Sequence, residues 1–458
     1  MTRKPYPKYK PSGVEWLGDV PEHWEVKRLD FLATVKARLG WKGLTADEYV
    51  QEGYAFLATP NIKGEGEIDF ENVNYITAER YFESPEIMIR PGDVLMAKDG
   101  STLGTTNVVR VLPSPATVNS SIAVIRPKVG LDSLFLFRWL TGSYVQALIH
   151  SMKDGQGVPH LFQADIRKFP VLYPPAEEQK RIAAYLDRET ARLDTLVAKK
   201  RLLIEKLQEK RAALISRTVT RGLPPEAAKQ AGLDPNPQLK PSDIPWLAEY
   251  PEHWELKQVK HLAEVRQGVT KGRDLDGDDT IELPYLRVAN VQDGYLDLSE
   301  ITTIEIRPSE LERYSLKAGD VLMNEGGDND KLGRGTVWQG QISPCLHQNH
   351  VFSVRPNDPS YSDWIALWTQ GSAAKSYFLV SGKQTTNLAS ISSTSIRELP
   401  VLLPPELERA AFIAYTKKTT ALIDELMVQV RSATDQLKEY RSALITAAVT
   451  GKVDVTLM

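Results

Sequence analysis

Short apolar runs bounded by glycine, aspartate and proline alternate along this chain with much longer amphipathic stretches. The short runs, such as "DVLMA" (Asp93–Ala97) and "SIAVIRP" (Ser121–Pro127), have the length and punctuation of strands. Leu131–Met152 and its later counterpart Tyr361–Val380 carry apolar residues at three- and four-residue spacing, which predicts helices. After Pro174-Pro175 and again after Pro404-Pro405 begin charged helical stretches of about 40 residues, or about 60 Å at 1.5 Å per residue. Proline is tolerated at a helix start, and the acidic residues that follow suit its positive end. A heptad series runs unbroken through the second stretch as Ile423, Leu426, Val430, Ala433, Leu437, Tyr440 and Leu444. The first offers Leu193, Leu196, Lys200, Leu203, Leu207, Lys210 and Leu214, where two lysine stems cover the apolar seam.

These elements occur twice. "PEHWE" stands at Pro21–Glu25 and at Pro251–Glu255. "PGDVLMAKDG" (Pro91–Gly100) returns as "AGDVLMNEGG" (Ala318–Gly327), "IAVIRP" (Ile122–Pro127) as "VFSVRP" (Val351–Pro356), and "IRKFPVLYPP" (Ile166–Pro175) as "IRELPVLLPP" (Ile396–Pro405). The offset drifts between 227 and 230, as small loop insertions require. Two large units exclude a solenoid, which needs three or more small repeats. The expected segments are a mixed α/β reader at 1–175, a helix at 176–222, a linker with a second reader at 223–405 and a helix at 406–458. Gly222–Trp246, rich in proline and glycine, reads as an extended linker. Each seam needs a partner. Antiparallel pairing of the two helices gives a pseudo-two-fold molecule with a reader at either end. Parallel pairing puts both readers at one end. In the bland alternative each helix packs on its own reader or drives homodimerisation.

Charge narrows the function. Of 458 residues 25% are charged and 42% hydrophobic, and the formal net charge is −3, which excludes a uniformly basic nucleic-acid coat. The first helical stretch (176–223) is +5 and the second reader (224–405) is −8. Any nucleic-acid contact therefore uses local basic faces. The single cysteine, Cys345, excludes a disulfide framework and a multi-cysteine zinc site and fits a reducing cytoplasm. No signal peptide or membrane span is read. "DLDGDD" (Asp274–Asp279) fails as a calcium loop, because Tyr285 stands where a bidentate glutamate is required. "YPPA" and "LPPE" lack the Asn/Asp-Pro-Pro-aromatic quartet of amino-methyltransferases, and no glycine-rich nucleotide turn is convincing. His23 and His253 lie in the duplicated "PEHWE", where packing and turn formation outweigh a metal or catalytic role.

The duplicated order of "GDVLM" turns, "PP-x-x-E" helix starts and helices ending near "ISRTVTRG" (Ile215–Gly222) and "ITAAVTGKV" (Ile445–Val453) resembles the specificity subunit of type I restriction–modification systems, over nearly the whole chain. "PPELERAAFI" departs from "PPAEEQKRIA" in lacking the Glu-Gln pair. The resemblance implies two target recognition domains, each reading one half of a bipartite double-stranded DNA site. It implies an α+β architecture in which two long helices form an antiparallel coiled-coil spacer with internal pseudo-two-fold symmetry. It implies no catalysis and no cofactor in this chain. Two adenine-methyltransferase subunits and motor-nuclease subunits are the implied partners, with S-adenosylmethionine, ATP and Mg2+ on those partners, in the cytoplasm. A non-DNA scaffold and an enzyme with unrecognised motifs are the competing readings.

Bases are read by Arg or Lys on guanine and Asn or Gln on adenine, and hydroxyls position phosphates. In the first reader the candidates are Lys98, Asp99, Ser101, Thr102, Thr105 and Asn107, then Asn61, Lys63, Asn119, Ser120, Arg38 and Lys42. In the second they are Asn324, Asn329, Lys331, Arg334, Arg287, Asn290, Gln348, Asn349 and His350. Lys383, Gln384 and Asn387, and Arg266, Lys271 and Arg273, complete the set. The polar loops differ most between copies, so two unlike half-sites are expected. The basic run Lys199–Arg211 offers a backbone-phosphate contact between the half-sites, a reading outweighed by that of a solvated helix face with acidic partners in reach.

Overall fold

A computed structural model describes residues 5–38, 44–64, 67–152, 160–275, 279–327, 332–384 and 389–455. It divides into two compact units: residues 1–201 with 432–458, and residues 202–431. Each long helix, Ala176–Arg221 and Glu406–Val449, is shared between them.

The units repeat one topology. In the first, a four-stranded antiparallel sheet runs Ala33–Lys36, Ile122–Pro127, Val94–Ala97, Thr106–Val108. In the second the order is Ala263–Arg266, Val351–Pro356, Val321–Asn324, Gly335–Val337. The "GDV" and "RP" motifs meet across each sheet. Arg126 forks onto Asp93 with two 2.7 Å bonds, and Arg355 onto Asp320 likewise. Each aspartate is almost fully buried and also accepts a backbone N–H, from Arg90 or Lys317. Breaking such a pair from one side costs about 3–5 kcal/mol, because a buried charge is left without a partner. A second, three-stranded sheet in each unit holds Tyr54–Leu57 or Ile281–Leu286 at its centre.

The duplicated "PEHWE" is a clamp on the helix start. Trp24 is fully buried and donates its indole N–H to Glu178, the third residue of the first long helix, at 3.1 Å. His23 lies 2.9 Å from the same carboxylate. In the second unit Trp254 and His253 reach Glu408, again a third helical residue, at 3.0 and 2.8 Å. The missing Glu-Gln pair is compensated. Gln179 donates to Pro174 O, and Arg409, in its place, donates to Pro404 O, both at 2.8 Å.

The two long helices run antiparallel. Asp194 of the first meets Arg441 of the second at 2.8 Å, and Arg211 of the first meets Asp424 of the second at 3.0 Å. Numbers rise on one helix as they fall on the other. The two ion pairs are one interaction with the helices exchanged, since 194 and 211 map onto 424 and 441 at offset 230. Each reader's core therefore takes in the start of one helix and the end of the other. Ile182, Leu186, Leu444 and Ala448 are buried in the first, and Phe412, Ile215 and Val219 in the second.

Three expectations need correcting. Each predicted reader helix is two helices, Ser133–Leu140 with Ser143–Ser151 and Ser362–Gln370 with Ser372–Ser381. The break falls at Gly142 and Gly371, where a Cβ would stand 3.5 Å from Val449 and 2.7 Å from Val219. Gly371 lets the far long helix approach, and in both units the next residue reaches that helix, Ser143 N donating to Thr446 and Ser372 N to Ser216. Second, the segment Gly222–Trp246 is not an extended linker throughout. Pro225–Gln230 is helical, and Leu239–Pro241 pairs with Glu249–Pro251 as Tyr9–Pro11 pairs with Asp19–Pro21.

Third, the seam is shifted at every other position. Leu193, Leu207, Ile423, Val430 and Leu444 are buried, and Leu214 and Leu437 half-buried. Leu196, Leu203, Leu426 and Tyr440 are 38–43% exposed, and Lys210 is exposed. The inward residues are one place on: Val197, Ile204 and Arg211 on the first helix, Met427, Thr434 and Arg441 on the second. Two arginines make this row look polar in sequence, while their Asp424 and Asp194 partners make it compatible with the interior.

Candidate nucleic-acid interface

In each unit several loop segments are stitched side by side by backbone hydrogen bonds at the ends of the sheet strands. In the first, Lys98 N donates to Ser121 O and Leu161 N donates to Lys98 O, both at 2.8 Å, while Asp99 bridges His160. In the second, Glu325 N donates to His350 O at 2.9 Å and Ile391 N donates to Glu325 O at 2.8 Å. Asn119 N to Leu57 O in the first is matched by Gln348 N to Leu286 O in the second, both 2.9 Å. The second strip extends through Asn349 N to Val269 O, and through Gly326–Gly327, Ala389–Ser390 and Lys383–Gln384. Backbone satisfaction holds these strips in place, so side chains that differ between copies are displayed on one frame.

The candidate residues divide sharply. Arg38, Asn61, Asn107, Asn290 and Asn324 are only 2–6% exposed. Asn61 Oδ1 accepts from Ala58 N and Asn290 Oδ1 from Arg287 N, both at 2.8 Å, while their amides donate to Asn72 O and to Asp297 O. Asn107 donates to Lys63 O, Asn324 to Val291 O, and Arg38 to Val118 O. These five are corrected to internal braces: their polarity satisfies buried carbonyls, and in sequence that is indistinguishable from polarity facing solvent. Arg266, Arg273 and Arg287 are half-buried beside Glu264, Glu310 and Glu300, and Arg334 donates to Gln292. Lys63 is exposed and paired with Asp69.

The strips keep Lys98, Ser101, Thr102, Asn119 and Ser120 in the first reader and Lys271, Gln348, Asn349, His350 and Lys383 in the second. The side chains of Ser101, Thr102, Lys271, Gln348 and Lys383 make no hydrogen bond or ion pair among the described residues. Asn119 accepts from Ser121 N, and Thr105 is half-buried nearby. Lys42, Asn329, Lys331 and Asn387, and the side chain of Gln384, lie outside the described residues.

Sequence reasoning missed Glu325 and His160. Lys98 and His160 both hydrogen-bond Asp99. Burial pushes the Asp99 carboxyl up, but these bonds outweigh it and the net shift is downward, so Asp99 stays ionised. In the second strip His350 contacts Glu325, and Asn349 Nδ2 lies 3.4 Å from His350 Nε2. The repeat alignment was the available signal: Lys98 and Glu325 follow "DVLMA" and "DVLMN" directly.

Residues 21–206 match the type I restriction modification DNA specificity domain. Among curated proteins, the chain is 23% identical to the type I restriction enzyme EcoKI specificity subunit of Escherichia coli K12, covering 95% of this chain and 90% of that protein. It is 23% identical to the MjaVIII specificity subunit of Methanocaldococcus jannaschii, covering 95% and 94%. Among solved structures, a chain from a study of complex assembly and conformational transition of the type I R-M system has TM-score 0.71 at 17% identity, covering 95% and 99%. The HsdS subunit from Thermoanaerobacter tengcongensis has TM-score 0.51 at 16% identity, covering 95% and 98%. Both are likenesses of fold.

Proposed function

We propose, from this chain's similarity to the specificity subunits of type I restriction–modification systems, that it is one of them and reads a bipartite, asymmetric double-stranded DNA site. Each reader strip takes one half-site, and the paired helices set the gap. The observation carrying this reading is the duplicated strip: one backbone register displaying Lys98, Ser120 and Ser121 in one copy and Glu325, Asn349 and His350 in the other. Equal frames with unlike side chains suit two unlike words. The antiparallel helices support the spacer role, because a paired α-helical strut holds a distance that a flexible linker does not.

Catalysis is assigned to partners: two adenine-methyltransferase subunits, with motor-nuclease subunits joining them, supply S-adenosylmethionine, ATP and Mg2+ chemistry. Apolar residues left uncovered in the second unit support docking on the helices, since Leu203, Leu422 and Leu426 are all at least 42% exposed beside the seam. No described helix is long and apolar enough to cross a membrane, and we place the complex in the cytoplasm.

The test is to co-express the chain with the methyltransferase subunits of its host and map methylated adenines in the DNA. Two short unlike words at a fixed gap are expected. A contiguous or palindromic motif, or modification independent of this chain, would overturn the proposal.

A further inference from the structure

We infer that residues 98 and 325 are one base-reading position carrying opposite hydrogen-bonding polarity in the two readers. This rests on the DNA-reading function just proposed and names its specificity determinant. Equivalence is fixed by the backbone. Lys98 donates to Ser121 O and accepts from Leu161 N, and Glu325 donates to His350 O and accepts from Ile391 N. Ser121 corresponds to His350, and Leu161 to Ile391, through the flanking "IAVIRP"/"VFSVRP" and "IRKFP"/"IRELP" repeats. The same place in the strip thus carries an ammonium in one copy and a carboxylate in the other.

Both heads are held rather than free. Lys98 Nζ sits 3.1 Å from Asp99, whose other oxygen meets His160. An ammonium has three donors, so this bond leaves others for guanine O6 or N7 or thymine O4. Glu325 is held by His350 Nδ1, and Asn349 lies against the far nitrogen of that ring. An ionised carboxylate accepts only, and its remaining lone pairs suit the amino group of cytosine N4 or adenine N6. The imidazole–carboxylate pairs come from different segments in the two readers: His160 neighbours Leu161, whereas His350 neighbours Val351. The backbone position of the reading head is shared while its sign is inverted. Glu325 keeps 30% of its side chain exposed, whereas Lys98 is buried with 10% of its side chain at the surface, so the first head has only its tip to offer a base edge.

The experiment uses the full chain assembled with its methyltransferase subunits, and reads methylated DNA from a randomised site library. Glu325→Lys is expected to change the preferred base at one position of one half-site by about tenfold or more. The other half-site and the gap stay as in the wild type. Lys98→Glu is expected to do the same in the other half-site. If either variant fails to assemble, Glu325→Gln keeps the size and one acceptor oxygen while adding a donor, and should broaden the base preference at that same position. Base preferences unchanged at every position, or a uniform loss of binding with a shallower salt dependence, would overturn the inference, the second marking a phosphate contact. A wild-type complex that modifies no bipartite site would instead sink the function on which the inference rests.

Discussion

Removing the Glu178 carboxylate should loosen the first unit more than removing Glu408 loosens the second. Glu178 accepts from Tyr6 Oη at 2.6 Å as well as from Trp24, and Tyr6 and Trp24 are both buried. Burial, and then the hydrogen bond to Glu178, hold the Tyr6 phenol far above its ordinary value, so it stays a donor across the accessible pH range. Glu178→Ala leaves two buried donors without a partner, at about 1–3 kcal/mol each. His23 has a half-exposed ring and adds little. The expected cost is about 3–5 kcal/mol. At offset 230 from Tyr6 stands Asn236, so Glu408→Ala orphans only the Trp254 indole and costs about 1–3 kcal/mol. Hydrogen exchange of the full chain, read by mass spectrometry on peptides covering residues 20–30 and 250–260, reports local opening in each unit separately. Glu178→Gln keeps one acceptor oxygen and should fall between wild type and Glu178→Ala. Equal effects of the two alanine variants, or a Glu178→Ala effect below about 0.5 kcal/mol, would refute the clamp.

The remaining predictions concern packing, pH and spacing. Leu207→Ala removes a buried side chain packed with Ile423 and Met427 and should cost about 2–4 kcal/mol in urea unfolding, whereas Leu203→Ala should stay within about 0.5 kcal/mol. Asp93→Asn should destabilise the first reader by about 3 kcal/mol by leaving the Arg126 fork half-paired, and Asp320→Asn the second through Arg355, both measured by denaturant midpoint. Burial lowers the His347 imidazole from 6.5 to about 4. The folded state then binds fewer protons than the unfolded one, so stability contributed by neutral His347 is lost as pH falls from about 6.5 towards 4, by about 3 kcal/mol at most. Val118 stands in its place in the first reader, so acid should open the second reader first, and exchange rates at stepped pH would show it. Inserting one heptad into both long helices, which preserves the seam, should widen the methylated gap by about 3 base pairs, from about 10 Å of added helix.

The duplicated words disclosed the architecture because identical residues 230 apart reflect identical packing duties. What the words could not disclose was their partners. "PEHWE" binds a glutamate 155 residues downstream in both copies, and "GDV" binds the arginine of "RP" across a sheet. These pairs are non-local, and only their repetition at matched offsets hints at them. The seam shows the opposite failure. A three-then-four and a four-then-three reading share every other residue, so Leu193, Leu207, Ile423 and Leu444 fit both. Leucines at 196, 203 and 426 pulled the choice outward, because composition rewards an apolar residue wherever it stands. The structure instead turns Arg211 and Arg441 inward against aspartates and leaves the leucines for another surface.

The site was the least legible part, for a reason general to polar loops. A backbone carbonyl buried in a turn and a base edge in a groove ask for the same donor, so asparagine answers both. Asn61 and Asn290 recur at matching positions with matching carbonyl partners, Asn72 O and Glu300 O, which marks them as scaffold. Lys98 and Glu325 recur at matching positions with unlike chemistry, which marks them as the variable part of a fixed frame. Within one chain, then, the repeat supplies its own control: positions where the two copies agree hold the fold, and positions where the backbone agrees but the side chains disagree carry the distinction between half-sites. Place in the fold decides as well, so Lys271 and Thr34 should behave differently on substitution: Thr34 also differs from its counterpart Glu264, but it lies inside the four-stranded sheet and not on a strip. Lys271 stands on a strip loop without a partner among the described residues, and Lys271→Ala should weaken binding of one half-site. Thr34 pairs with Arg126 in the sheet register, and Thr34→Ala should leave both half-sites and their gap unaltered in the methylation map. A half-site change from Thr34→Ala would contradict the separation of frame from reading surface.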